Sequence, residues 1–91
     1  SSLSDQQLED WVVSTYATEQ ASTAENYNNL GWKVYSRTDD DDNLVYAQLY
    51  DAYGNDVLLF RVDKKGQLEA YGGIDGSSDS WDVVSKTYTT D

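Results

Sequence analysis

The stretch LVYAQLYDAYGNDVLLFRVD, residues 44–63, decides the fold of this chain. Apolar and polar side chains alternate along both of its halves, and this period of two is typical of half-buried β-strands. Between the halves lies Gly54-Asn55, a pair that suits a two-residue hairpin turn with positive φ. The stretch therefore predicts an antiparallel hairpin made of strands 44–51 and 56–63.

Three further strands are expected to extend this hairpin into a meander. The same alternation predicts them at residues 32–37, 67–71 and 81–88. Residues 81–88 also fit helical spacing, but their β-branched side chains favour a strand. The sequence Asp63-Lys64-Lys65-Gly66 predicts a type I turn followed by a left-handed glycine.

The turns also predict the register of the sheet. The Gly54-Asn55 turn places Leu49 opposite Phe60, and a loop at residues 39–42 places Val34 opposite Ala47. The Gly66 turn places Phe60 opposite Ala70. One face then collects the apolar side chains of Trp32, Val34, Val45, Ala47, Leu49, Leu58, Phe60, Val62, Leu68 and Ala70.

The N-terminal residues predict an amphipathic helix that covers this apolar face. Leu8 and Trp11 belong to a stripe of helical spacing, and Ser4 with Gln7 forms a capping box, so we expect a helix over residues 5–19. Residues 21–30 fit either a short helix, capped by Ser22 and ended by Gly31, or a polar connection. The predicted fold is α+β, with one N-terminal helix packed on an antiparallel meander of four to five strands in a single domain, residues 1–91.

Composition limits the functions that the chain can perform. Six basic residues against 17 acidic ones give a net charge of −11, so we expect neither a nucleic-acid partner nor membrane docking. No apolar run is long enough for membrane insertion. The chain contains no histidine and no cysteine, so we expect no enzyme and no cofactor. It also contains no methionine, which indicates a processed or excised part of a longer exported protein, expected to be a monomer.

The second face of the sheet is the candidate binding surface, because half of the six basic residues fall on it together with several tyrosines. Tyrosine rings can stack on sugars while polar neighbours supply hydrogen bonds. Two other interpretations stay open: a solvated face held by cross-strand pairs, such as Tyr35 opposite Tyr46, or a face covered by the C-terminal strand or a partner. The candidate ligand-binding residues are Lys33, Tyr35, Tyr46, Gln48, Tyr50, Arg61, Glu69 and Tyr71.

An acidic run at residues 39–43 suggests either a calcium site or a solvated hairpin loop. An EF-hand would need glycine and glutamate where Leu44 and Tyr50 stand, so no metal site is predicted. Crowded carboxylates also predict raised carboxyl pKa values, and hence stability that rises in mild acid.

Several segments resemble one family over most of the chain. They are LSDQQL at residues 3–8 with Trp11, YSRTD at 35–39, FRVDKKG at 60–66 and WDVVSKTY at 81–88. In these segments the chain resembles an uncharacterised family of small surface lipoproteins from lactobacilli and related lactic acid bacteria. The resemblance implies an extracellular protein anchored to the cell surface through an upstream lipidated cysteine, and it assigns no activity.

The sequence therefore predicts a non-catalytic cell-surface module. Its expected partner is a wall polymer, glycan or peptide bound by the aromatic sheet face. The alternative is a protein–protein interaction or inhibitor domain that docks another protein through the acidic loop at residues 39–42.

Overall fold

Two helices pack on one face of a five-stranded antiparallel meander with the strand order β1-β2-β3-β4-β5. The computed structural model describes residues 3–90, so Ser1, Ser2 and Asp91 of the predicted domain lie outside the described residues. This architecture confirms the predicted α+β fold. The elements are α1 (Asp5–Glu19), α2 (Ala24–Leu30), β1 (Lys33–Thr38), β2 (Val45–Tyr50), β3 (Asp56–Val62), β4 (Leu68–Tyr71) and β5 (Trp81–Ser85).

Helix α1 has the predicted bounds because its first turn is capped as the sequence indicates. The Gln7 backbone N–H donates to Ser4 Oγ at 3.1 Å, and the Ser4 N–H donates to Gln7 Oε1 at 2.9 Å. This reciprocal pair satisfies two donors that the helix itself leaves free. The helix then buries Leu8, Trp11 and Val12 against the sheet.

Residues 24–30 form a helix, so the helical interpretation of this segment is confirmed, although its cap differs from the predicted one. Thr23, not Ser22, is the N-cap, and its Oγ1 accepts from the Asn26 N–H at 3.2 Å. Gly31 ends the helix with φ of 92°, a left-handed conformation that glycine adopts at little cost. Tyr27 then packs on Trp32, with 4.6 Å between the ring centroids.

The predicted register is wrong for two of the three hairpins. Leu49 pairs with Leu58 instead of Phe60, and Val34 pairs with Leu49 instead of Ala47. Tyr35 likewise lies opposite Gln48 instead of Tyr46. Each shift is two residues, so every side chain keeps its predicted face. The third hairpin is confirmed, since Phe60 pairs with Ala70 and Val62 with Leu68.

The β2–β3 connection explains the shift at that hairpin. The predicted two-residue turn at Gly54-Asn55 does not form. Instead the Asp51 N–H donates to Asn55 O at 3.0 Å, while the Asp51 carboxylate accepts from the N–H groups of Tyr53 and Asn55, each at 2.9 Å. A bulge between Leu49 and Tyr50 completes this longer loop. The aspartate side chain therefore replaces part of the strand ladder and moves the register.

The core lies between α1 and the sheet, and a hydrogen bond connects β5 to it. The largest fully buried side chains of the core are Trp11, Val12, Leu49, Phe60 and Leu68. The indole N–H of Trp11 donates to Ser85 Oγ at 2.9 Å. The C-terminal segment is thus a strand, as predicted, but it ends at Ser85 rather than at residue 88.

Candidate binding face

Alternate side chains of each strand point away from the helices and form what we call the open face of the sheet. Across its centre, four strands bring together an aromatic cluster. The cluster consists of Tyr46 on β2, Arg61 on β3, Glu69 and Tyr71 on β4, and Trp81 on β5.

Trp81 is the centre of the aromatic cluster. Its ring centroid lies 5.8 Å from that of Tyr46 and 5.4 Å from that of Tyr71, both in edge-to-face geometry. The guanidinium carbon of Arg61 lies 4.1 Å from the Trp81 ring centroid. Edge-to-face and cation–π contacts of this kind are favourable, so the cluster is held together without a ligand.

Arg61 and Glu69 form the polar part of the aromatic cluster. Arg61 Nε donates to Glu69 Oε1 at 2.7 Å, and Arg61 Nη1 donates to the Tyr46 hydroxyl at 3.5 Å. The two charged side chains are only 23% and 14% exposed, so the pair is shielded more than an ordinary surface ion pair. Arg61 on β3 lies directly opposite Glu69 on β4.

The Tyr46 hydroxyl connects the aromatic cluster to the acidic loop, because it donates a hydrogen bond to Asp42 Oδ2. This bond, together with the Leu44 N–H that donates to Asp42 Oδ1, lowers the pKa of the Asp42 carboxyl. The same bond raises the pKa of the Tyr46 phenol. Arg37 adds a cation on the other side, with its guanidinium carbon 5.8 Å from the Tyr46 ring centroid.

A shallow depression of about 430 Å³ lies beside the Arg61–Glu69 pair. Its other walls include Gln67 and Lys65, with the apolar side chains of Leu44 and Val83. Val83 is 43% exposed there. The ion pair therefore borders both an aromatic platform and a shallow depression that offers polar and apolar contacts.

The structure brings together half of the eight predicted site residues, namely Tyr46, Arg61, Glu69 and Tyr71. Gln48 is engaged elsewhere, because its side-chain amide donates to the backbone oxygens of Leu49 and Leu58 at 3.1 and 3.0 Å and so holds the β2 bulge.

Lys33, Tyr35 and Tyr50 lie outside the aromatic cluster. Tyr50 is four residues from Tyr46 along β2, a separation of about 13 Å. Lys33 pairs with Tyr50 at that far end of the sheet, and Tyr35 pairs with Gln48.

Two residues of this region were not among the predicted site residues: Trp81, at the centre of the aromatic cluster, and Asp42, which accepts a hydrogen bond from Tyr46. Trp81 lies on the open face because it pairs directly with Tyr71. Strand β5 itself lies beside β4 at the sheet edge and does not cover the open face.

The Asp39 carboxylate of the acidic loop forms hydrogen bonds within the loop and with Arg37. Asp39 Oδ2 accepts from the N–H groups of Asp41 and Asp42 at 3.2 and 3.4 Å, and Asp39 Oδ1 accepts from Arg37 at 3.4 Å. Within residues 3–90, no group of three or more histidine, cysteine, aspartate or glutamate side chains is placed to hold a metal ion.

Hydrogen bonds to carboxylates act against the predicted rise of stability in mild acid. Burial, with neighbouring acids, raises the pKa of Glu9, but the pKa values of three aspartates are lowered. The pKa of Asp51 is lowered chiefly by the Asn55 N–H, and that of Asp75 chiefly by Ser77. The expectation of raised values is therefore wrong for Asp42, Asp51 and Asp75.

Acid should consequently destabilise the protein. A carboxyl whose pKa is lower in the folded state adds stability above its unfolded pKa of about 3.9, and this stability is lost as the pH falls through the folded pKa. We expect the urea midpoint to fall between about pH 5 and about pH 2 in about 0.15 M salt, which screens the long-range repulsion. Asp51→Asn should reduce this fall. A midpoint that rises in acid would show that charge repulsion outweighs these hydrogen bonds.

Comparison of the chain with protein-family models, with curated proteins and with solved structures finds no match. No helix within residues 3–90 has the length and apolar character needed to cross a membrane.

Proposed function

We propose that this protein is a non-catalytic cell-surface module that binds a wall polymer, glycan or peptide through the aromatic cluster. The observation that supports this is the packing of Trp81 between Tyr46, Tyr71 and Arg61 on the sheet face that the helices leave uncovered. Tyr71 remains 54% exposed in this arrangement. An ordered group of aromatic rings at the surface is a common sign of an interaction site.

The proposed binding mode combines ring contacts with hydrogen bonds. Tyr71 and Trp81 offer rigid apolar surface, which loses little side-chain entropy when a ligand covers it. Arg61 and Glu69 supply donors and acceptors whose geometry is already fixed by their ion pair. The site is therefore preorganised, which favours affinity without a large conformational change.

The non-catalytic and surface parts of the proposal have separate support. The chain lacks histidine and cysteine, the side chains that most often act as general base or nucleophile near neutral pH. Export and anchoring rest on the resemblance to surface lipoproteins.

Docking of a protein through the acidic loop is the weaker proposal. Asp39 and Asp42 already bind backbone N–H groups, Arg37 and Tyr46, so part of their acceptor capacity is used inside the molecule.

Removal of the ring surface should weaken binding to purified bacterial cell walls. We expect Trp81→Ala and Tyr71→Ala each to lower the affinity by about tenfold or more, the usual effect of truncating a central aromatic residue at an interface. The measurement is co-sedimentation of the protein with increasing amounts of insoluble wall. Circular dichroism melting curves would show that each variant is folded at the assay temperature.

Tyr53→Ala is the matched control for this experiment. Tyr53 is 91% exposed in the β2–β3 loop, outside the aromatic cluster, so its loss removes an exposed tyrosine without touching the proposed site. Equal losses for Tyr53→Ala and Tyr71→Ala, or wild-type binding by the folded Trp81→Ala variant, would refute the proposed site.

A further inference from the structure

We infer that the ligand of the aromatic cluster is an uncharged carbohydrate, not a polyanionic wall polymer and not a peptide. This inference rests on the proposed function and narrows its ligand class. Three features of the open face carry it: the charge balance around the cluster, the free hydrogen-bonding atoms of the Arg61–Glu69 pair, and the position of the rings relative to the sheet edges.

The charge balance around the aromatic cluster disfavours a polyanion. Both arginines of the open face form ion pairs with carboxylates. Arg61 lies 2.7 Å from Glu69, and Arg37 lies 3.4 Å from Asp39. Lys64 and Lys65 form no ion pair within residues 3–90, but they line the depression together with Asp63 and are not part of the aromatic cluster. Recognition of phosphates or carboxylates uses cations that are free to pair with them, and the net charge of −11 adds long-range repulsion.

The Arg61–Glu69 pair presents a donor and an acceptor side by side. Arg61 uses Nε and Nη1 in its bonds to Glu69 and Tyr46, which leaves Nη2, and Glu69 uses Oε1, which leaves Oε2. Across residues 3–90, no fully buried side-chain nitrogen or oxygen lacks a hydrogen-bond partner, so neither of these remaining atoms is fully buried. Neighbouring hydroxyl groups of a sugar ring match this arrangement, because one can accept from arginine while the next donates to glutamate.

The rings complete a site for a sugar. The electron-rich face of an aromatic ring attracts the C–H groups on the apolar side of a pyranose. Tyr71 is exposed beside the ion pair, within 5.4 Å of Trp81 between ring centroids, so one sugar could contact a ring and the pair together.

A peptide fits the site less well. Extended peptides commonly bind by adding a strand to a sheet edge, where backbone groups are free. The edges of this sheet are β1 and β5. Trp81 lies on the edge strand β5, but the other four members of the aromatic cluster lie on β2, β3 and β4, whose backbone groups already pair with a strand on each side.

The test is a set of titrations of the full chain, in which binding is detected by changes in the amide NMR chemical shifts. The probes are an uncharged N-acetylglucosamine hexamer, the polyanion polygalacturonate, and an uncharged peptide of mixed sequence. We expect the amide chemical shifts of the aromatic cluster to change with the hexamer but not with polygalacturonate or the peptide. The affinity for the hexamer should change less than about twofold between about 50 and about 500 mM NaCl, and should drop about tenfold or more in Tyr71→Ala but not in Tyr53→Ala.

Other outcomes separate this inference from the proposed function. If polygalacturonate or the peptide binds at the aromatic cluster and loses affinity in Tyr71→Ala, the site stands but the carbohydrate inference is overturned. The inference also fails if the hexamer gives no shifts while purified walls bind in a Trp81-dependent manner. If Trp81→Ala and Tyr71→Ala both leave the affinity for cell walls unchanged, the proposed function and the inference fail together.

Discussion

Phe60→Ala should lower the free energy of unfolding by about 3–5 kcal/mol, the usual cost of truncating a fully buried phenylalanine. Phe60 has no solvent-exposed surface and lies on the central strand β3, on the core face against which α1 packs. A domain of this length has a total stability of about 5–14 kcal/mol. The variant should therefore be much closer to unfolding, with a clearly lower urea midpoint and melting temperature.

Leu59→Ala provides the matched control for Phe60→Ala. Leu59 is the preceding residue of the same strand, lies on the open face and is only half-buried. Its truncation should cost less than about 2 kcal/mol, because less apolar surface returns to water. Urea unfolding of both variants measures the difference. Comparable losses for the two substitutions would contradict the assignment of the sheet faces.

The faces of the sheet could be predicted from sequence because their signal is local. Alternation along each strand has a period of two, and an error of two residues in register leaves it unchanged. The predicted core face is therefore the real one, although Leu49 and Val34 each have a different partner from the expected one. Helix α1 was equally predictable, since its cap, Ser4 with Gln7, lies within one turn.

The register itself depended on an interaction that the turn motif does not reveal. Gly54-Asn55 matches a two-residue turn, but the carboxylate of Asp51 binds the N–H groups of Tyr53 and Asn55 and organises a longer loop. Side-chain bonds of this kind compete with strand pairing on nearly equal terms. Sequence patterns alone rarely decide such a competition.

Trp81 escaped prediction because nothing local fixes the face on which it lies. Strand β5 carries apolar residues on both faces, with Trp81 and Val83 on one and Val84 on the other. The connection from β4 spans residues 72–80 and has no turn motif that sets a register. Only the pairing of Tyr71 with Trp81 places the indole on the open face, and this pairing is established by the tertiary structure.

Removal of Arg61 should have the second-largest effect on stability. We expect Arg61→Ala to lower the free energy of unfolding by about 2–3 kcal/mol, between the values for exposed and fully buried ion pairs. The substitution leaves Glu69, whose side chain is only 14% exposed, without its charged partner. It also removes the guanidinium that lies over the Trp81 ring. Urea unfolding at neutral pH gives the measurement.

Two further variants separate the contributions of Arg61. Arg61→Lys keeps the positive charge near Glu69 but loses the planar guanidinium that both stacks on Trp81 and reaches Tyr46, so it should recover only part of the loss. Glu69→Gln in the Arg61→Ala background removes the unpaired charge and should restore stability. A double-mutant cycle for Arg61→Ala and Glu69→Gln should give a coupling energy of about 1–3 kcal/mol. Coupling near zero would mean that the pair acts as an exposed one, and the preorganised geometry on which the proposed site depends would lose its physical basis.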